Sequence, residues 1–141
     1  KAGKSIVENA TNTKITTNKD GTTTIESKDG SSSISTTAKL PDDFPKDIPL
    51  YSGQKLTGSS RVKSDTEISW QVTAETTDKV AKASAAAKAL YSAWDATSET
   101  QQNDNYYYYY SKGNYTVNLY VAPADNGSTI SYTVTQKTSN E

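Results

Sequence analysis

The chain has 141 residues, of which 33% are hydrophobic, and its formal net charge is −1. This length is enough for one domain with a hydrophobic core, and the scattered lysines and arginines argue against a nucleic-acid-binding surface or an anionic-membrane patch. The sequence contains no Cys and no His. Disulfides, thiol catalysis, Ser-His-Asp chemistry and most transition-metal sites are therefore excluded, and we expect no cofactor and no metal.

Residues 1–39 are predicted to form an N-terminal segment followed by a β-hairpin repeat. Lys1–Asn12 favours a short helical turn, which is too short to be stable alone. Thr13–Lys39 consists of three similar units, TKITTNKDG, TTTIESKDG and SSSISTTAK, each with one isoleucine near its middle. The two KDG sequences are typical hairpin turns, because Asp tolerates a turn and Gly supplies a positive φ. We expect three short strands in a meander.

A calcium-binding β-roll is the alternative interpretation of this repeat. It would place Asp20 and Asp29 on successive rungs. Such rolls carry more Gly and Asp in each repeat than this sequence does. The plain hairpin interpretation is therefore preferred.

Residues 40–53, LPDDFPKDIPLYSG, are predicted to form a strap, meaning an extended segment that runs across the surface of the domain. Prolines at 41, 45 and 49 each follow an apolar residue and push it into extended geometry. The strap is expected to pack its apolar side chains, Leu40, Phe44, Ile48, Leu50 and Tyr51. Asp42, Asp43 and Asp47 are expected to be solvated loop charges. The spacing does not match the PxxP pattern of a ligand for an SH3-like partner.

Residues 54–138 are predicted to form the main domain. Leu56 and Val62 mark a first strand, and the alternation in TEISWQVTA predicts a second, half-buried strand that ends near Ala74. Thr77–Trp94 predicts the one long helix, with Thr77 as its N-cap. Its apolar residues fall within one arc of the helix, as expected for the lid of a core: Val80, Ala83, Ser84, Ala87, Leu90, Tyr91 and Trp94.

Three more strands are predicted between Asp104 and Lys137, with turns at KGN and PADNG. The first contains five tyrosines in succession, Tyr106–Tyr110. Side chains alternate between the two faces of a strand, so one set of tyrosines should join the core. The other set would be exposed and is the candidate binding strip: Tyr107, Tyr109 and Tyr120. Exposed tyrosines can bind sugars or proteins; the alternative is that tyrosine is simply a good strand residue.

Catalytic signals are weak in this sequence. It has no Gly-rich phosphate loop, and Glu67, Glu75 and Asp78 occupy ordinary surface positions. A hydrolase that uses carboxylates is therefore an unlikely alternative, and we expect no enzymatic activity. A second alternative is a structural adhesin or stalk domain, because lysines near Asn or Asp in a Thr-rich β-domain can form isopeptide cross-links.

The order of these segments resembles that of small bacterial envelope lipoproteins and secreted domains of unassigned function. In that group the strap often reads LPxxFPxDxPxYxG, matched here at Leu40, Pro41, Phe44, Pro45, Asp47, Pro49, Tyr51 and Gly53. The helix in such domains often ends in Gly-Trp, whereas here Ala93 precedes Trp94. The resemblance implies export and a lipidated Cys upstream of Lys1. It brings no functional residues with it.

Together these patterns predict an α+β fold, in which a twisted antiparallel sheet of about five strands carries one long helix on one face, with the short N-terminal β-meander beside it. The predicted function is a non-catalytic extracytoplasmic binding or surface module that is membrane-tethered through a lipid anchor. Its expected partner is a protein or glycan of the cell envelope. We expect a monomer located at the bacterial cell surface or in the periplasm.

Overall fold

The computed structural model describes residues 4–8, 13–17, 19, 23–27, 33–37 and 39–138. These residues contain ten β-strands and one α-helix. In chain order they are β1 Lys4–Glu8, β2 Thr13–Thr17, β3 Thr23–Ser27, β4 Ser33–Thr37, β5 Lys55–Lys63, β6 Glu67–Thr76, α1 Val80–Leu90, β7 Asp95–Gln102, β8 Asn105–Lys112, β9 Tyr115–Ala124 and β10 Gly127–Lys137.

All ten strands belong to one sheet, in the order β1-β2-β3-β4-β5-β6-β10-β9-β8-β7, and every neighbouring pair is antiparallel. The chain builds the first six strands as a meander and then leaves the sheet through α1. The helix crosses β10, β9 and β8 and delivers the chain to the far edge at β7. Three hairpins then bring the chain back, so that β10 pairs with β6 in the middle of the sheet.

The hydrophobic core lies between the sheet and the layer formed by α1 and the strap. Alternate residues of the central strands point into it and are fully buried, among them Trp70 and Val72 of β6 and Tyr132 of β10. On the side of the helix that faces the sheet, the small residues Ala83 and Ala87 are buried. We call this side of the sheet the covered face. On the opposite side, the open face, neither the helix nor the strap packs.

The predicted α+β class is wrong, because the fold is mostly β and its helix is short. The helix has 11 residues and ends at Leu90, since Tyr91 has φ −103° and ψ 19°. Tyr91 and Trp94 extend the apolar stripe beyond the helix end, where their rings pack edge to face at 5.3 Å in a turn. The predicted N-cap, Thr77, is also wrong. Lys79 is the N-cap residue of the helix, and no side chain caps it.

The prediction of about five strands also failed, partly because it missed strand β7. This edge strand, DATSETQQ, is exposed along its whole length. A strand that is exposed on both faces needs no alternation of apolar and polar residues, so periodicity cannot detect it. The meander adds four further strands, because β4 pairs with β5 and makes β1–β4 part of the same sheet.

The N-terminal meander confirms the predicted strands of the repeat and corrects the segment before it. Residues 4–8 form strand β1 rather than a helical turn. Ile15 lies opposite Ile25, Ile25 opposite Ile34, and Ile34 opposite Val62 of β5. The isoleucine positions of β2, β3 and β4 are therefore in direct register with one another and with Val62 of the main domain. Asp20 and Asp29, the proposed calcium ligands, lie outside the described residues.

Hydrogen bonds to the sheet and to the helix end hold the strap. The Tyr91 hydroxyl donates to the carbonyl of Pro49 at 2.8 Å, and the backbone N–H of Tyr51 donates to the Tyr132 hydroxyl at 3.0 Å. Ile48 is buried in the core, and the other apolar strap residues pack around it. The predicted packing of the apolar side chains of the strap is thus confirmed. The predicted extended geometry is wrong, because the carbonyls of Pro41 and Pro45 accept hydrogen bonds from the N–H groups of Phe44 and Ile48 and close two successive turns.

Asp43 is exposed, as the sequence predicted, but its carboxylate also has a structural role that the sequence did not predict. Its carboxylate accepts a hydrogen bond from the buried Trp70 indole Nε1 at 3.1 Å and another from Arg61. Asp43 therefore joins the strap to β5 and β6. Its neighbour Asp42 is exposed, as expected.

Asp43→Ala is expected to lower the free energy of unfolding by about 1–3 kcal/mol, because it leaves the buried indole N–H without an acceptor. Urea denaturation measures this loss. Asp42→Ala is the matched control and should change stability by no more than about 0.5 kcal/mol. Equal stabilities for the two variants would contradict a fastening role for Asp43.

Candidate functional site

The five consecutive tyrosines of β8 divide between the two faces of the sheet. Tyr108 and Tyr110 are buried on the covered face, while Tyr107 retains 43% of its surface exposed. Tyr109 follows Tyr107 on the open face, because residues two apart in a strand share a face. The sequence did not establish which set would be buried, and the structure places Tyr107 and Tyr109 on the open face. Of the three residues predicted to be exposed, only Tyr107 is; Tyr109 and Tyr120 are half-buried.

Tyr120 of β9 completes a three-residue surface, which we call the tyrosine strip: Tyr107, Tyr109 and Tyr120. Tyr120 lies directly opposite Tyr107 in the β8–β9 pair. Their ring centroids are 4.9 Å apart, with the rings tilted by 36°. The structure therefore brings together the three residues that the sequence selected.

The hydroxyl of Tyr120 donates to Oδ1 of Asn105 at 3.3 Å, which orients the ring over the end of β8. Burial and the neighbouring Tyr107 raise the pKa of Tyr120 above its ordinary value. Like any tyrosine hydroxyl at neutral pH, this group is protonated and can both donate and accept hydrogen bonds.

A shallow depression of about 330 Å³ lies beside the strip on the open face. Besides the tyrosines, short polar side chains from three strands line it: Ser98 of β7, Asn118 of β9, and Ser131 and Thr133 of β10. Sequence reasoning missed these four residues, because they become neighbours only through the pairing of β7, β8, β9 and β10. A depression of this form can hold a ligand between aromatic faces and hydrogen-bonding groups.

The remaining tyrosines of β8, Tyr106, Tyr108 and Tyr110, pack in or against the hydrophobic core. Tyr110 stacks on Tyr91 with a centroid distance of 5.0 Å and an interplanar angle of 5°. Burial raises the pKa of Tyr110 to about 12. Tyr108 lies at the edge of the same cluster, and Tyr106 packs against it at 6.2 Å. These rings lie on the covered face of β8, on the opposite side of the strand from the tyrosine strip.

Two of the carboxylates considered for hydrolysis, Glu67 and Glu75, lie too far apart to act as a catalytic pair. Glu67 and Glu75 stand at opposite ends of β6, about 26 Å apart along an extended strand, whereas glycosidase carboxylates lie about 5–9.5 Å apart. Asp78 accepts hydrogen bonds from Lys82 at 2.7 Å and from Tyr51. These two donors, Lys82 first, lower the pKa of the Asp78 carboxyl. Across the described ranges, no three carboxylates cluster closely enough to hold a metal ion.

Comparison with protein-family models, with curated proteins and with solved structures found no match to this chain. The resemblance to envelope lipoproteins therefore stays a prediction from the sequence, based on the order of the segments and on the strap pattern in residues 40–53. In the part of the chain that the structure describes, no helix has the length and apolar character needed to cross a bilayer.

Proposed function

We propose that this protein is a non-catalytic binding module whose ligand-binding surface is the tyrosine strip on the open face. The observation that carries the proposal is the pair of rings formed by the exposed Tyr107 and the half-buried Tyr120, which line a depression together with short polar side chains. An aromatic ring exposed to water at a groove is energetically unfavourable, and a bound ligand that covers the ring would remove this apolar surface from water. Tyrosine is also enriched at binding surfaces.

The resemblance carried by the strap supports a place outside the cytoplasm, with a lipid anchor as the tether. In this arrangement the anchor holds the module at the membrane, and the open face meets proteins or glycans of the cell envelope. Cell fractionation followed by mass spectrometry of the amino-terminal peptide would test this location. Recovery of an unlipidated chain from the cytoplasm would contradict it.

The binding role can be tested on immobilised cell-envelope fractions. The double variant Tyr107→Ser/Tyr120→Ser should lose at least tenfold in apparent affinity, since it removes both rings of the Tyr107–Tyr120 pair. Leu90→Ala is the matched control, because it also removes an exposed apolar side chain (36% exposed) but on the helix. It should bind like the parent protein.

The result would count only if the double variant remains folded. Neither ring belongs to the hydrophobic core, so circular dichroism should show a folded chain and urea denaturation a cooperative transition. Parental binding by the folded double variant would refute the proposed function. Equal losses in the double variant and in Leu90→Ala would point to nonspecific hydrophobic adhesion and would also refute it.

The cross-linked stalk alternative has less support. The lysine–carboxylate contacts between described residues include Lys82–Asp78 and Lys88–Glu99, both at 2.7 Å. Their lysine side chains are 72% and 50% exposed. These contacts have the geometry of ordinary surface ion pairs. Intact mass gives a direct test, because each isopeptide bond would remove one water or one ammonia.

A further inference from the structure

The side chains beside the tyrosine strip continue across the open face as two rows, each running perpendicular to the strands. The first row begins at Tyr107 and passes through Tyr120, Ser131 and Thr73, each directly opposite the one before it. Neighbouring strands are about 4.8 Å apart, so this row spans roughly 14 Å from β8 to β6. It presents two aromatic rings followed by two hydroxyl groups.

The second row runs beside the first and is made of one ring, two amides and a hydroxyl. It contains Tyr109, Asn118, Thr133 and Gln71, again in direct register. Asn118 and Gln71 are exposed. Each of these polar groups can donate or accept hydrogen bonds without carrying a charge.

Charged side chains on this surface are confined to its margins. Within β6, β8, β9 and β10, the charged residues of the open face are Glu75 at one side and Glu67 opposite Lys137 at the other. The area between them contains only tyrosine, serine, threonine, asparagine, glutamine and alanine side chains. An acidic or basic ligand would lose its hydration there without meeting an opposite charge.

From this surface we infer that the ligand of the tyrosine strip is a neutral, extended glycan, an inference that rests on the proposed binding function. The rings of Tyr107 and Tyr120 offer flat faces for the apolar side of a sugar ring. The hydroxyls and amides of the two rows match the many neutral hydroxyl groups of such a chain. A sugar unit in an extended chain is about as long as the spacing between two strands, so the chain would lie across the strands along the rows.

Nuclear magnetic resonance titration of the full chain with defined oligosaccharides tests this inference. The neutral probes are cellohexaose, chitohexaose and mannohexaose, and the matched acidic probe is hexagalacturonate. At least one neutral probe should shift the backbone amides of Tyr107, Asn118 and Tyr120, and the acidic probe should bind at least tenfold more weakly. Tyr107→Ala should weaken neutral binding about tenfold, whereas Tyr107→Phe should retain most of it because the ring remains.

The outcomes separate this inference from the proposed function. Absence of shifts at the strip with all neutral probes, or equal binding of the acidic probe, would overturn the glycan inference. Envelope fractions provide the second comparison. If protease treatment of a fraction abolishes strip-dependent binding and periodate oxidation of its sugars does not, the binding function stands and the glycan inference is wrong. If no fraction binds through the strip, both are wrong.

Discussion

Replacing Trp70 by alanine is expected to lower the free energy of unfolding by about 3–5 kcal/mol. The indole is 1% exposed and packs edge to face on Phe44 of the strap, with ring centroids 6.2 Å apart. It also donates its N–H to Asp43. Removing it creates a cavity in the core and detaches two strap residues from β6. A loss of this size is a large fraction of the stability of a domain of this length.

Chemical denaturation of Trp70→Ala alongside Trp94→Ala would measure this effect against a matched control. Trp94 is only partly buried and packs on Tyr91 from the turn beyond the helix. Its replacement should cost less, about 1–2 kcal/mol. A smaller loss for Trp70→Ala than for Trp94→Ala would mean that the strap is not held through the indole.

The sequence predicted those parts of the fold in which a periodic pattern records burial. The alternation in β6 identified Trp70 and Val72 as core residues, and both are buried. The tyrosine run was correctly divided into two sets by the same rule. The apolar residues of the strap were predicted to pack on the domain, and they do. The extended geometry predicted from the prolines is wrong, because Pro41 and Pro45 each begin a turn.

Features that depend on which strands become neighbours could not be predicted in this way. The edge strand β7 has no buried face, so nothing in its sequence distinguishes it from a loop. The sequence predicts a helix up to Trp94 because the apolar stripe continues through Tyr91 and Trp94. In the structure these two aromatic residues pack together in the turn that follows the helix. The uncharged surface around the tyrosine strip emerges only from the register of β8, β9, β10 and β6. No single strand contains that information.

The buried tyrosines predict a loss of stability at alkaline pH. Burial raises the pKa of Tyr132 to about 12 and also raises the pKa of Tyr91. In the unfolded chain a tyrosine has a pKa of about 10. The folded state therefore binds these protons more tightly. The resulting stability is fully present below pH 10, and it is lost as the pH rises from about 10 through about 12. For Tyr132, which is fully buried, the loss is on the order of 2–3 kcal/mol.

Urea denaturation at a series of pH values, combined with the ultraviolet absorbance of tyrosinate, would measure this dependence. Part of the absorbance change of the ten tyrosines should coincide with unfolding rather than precede it. Tyr132→Phe serves as the comparison. It should be less stable at neutral pH, because the hydroxyl donates to Gln54 at 2.8 Å and accepts from the Tyr51 N–H. It should nevertheless lose less stability between pH 10 and 12, since one buried ionisation is absent. If all ten tyrosines ionised in one step near pH 10 while the chain stayed folded, the buried hydroxyl groups of the core would have to be accessible to water.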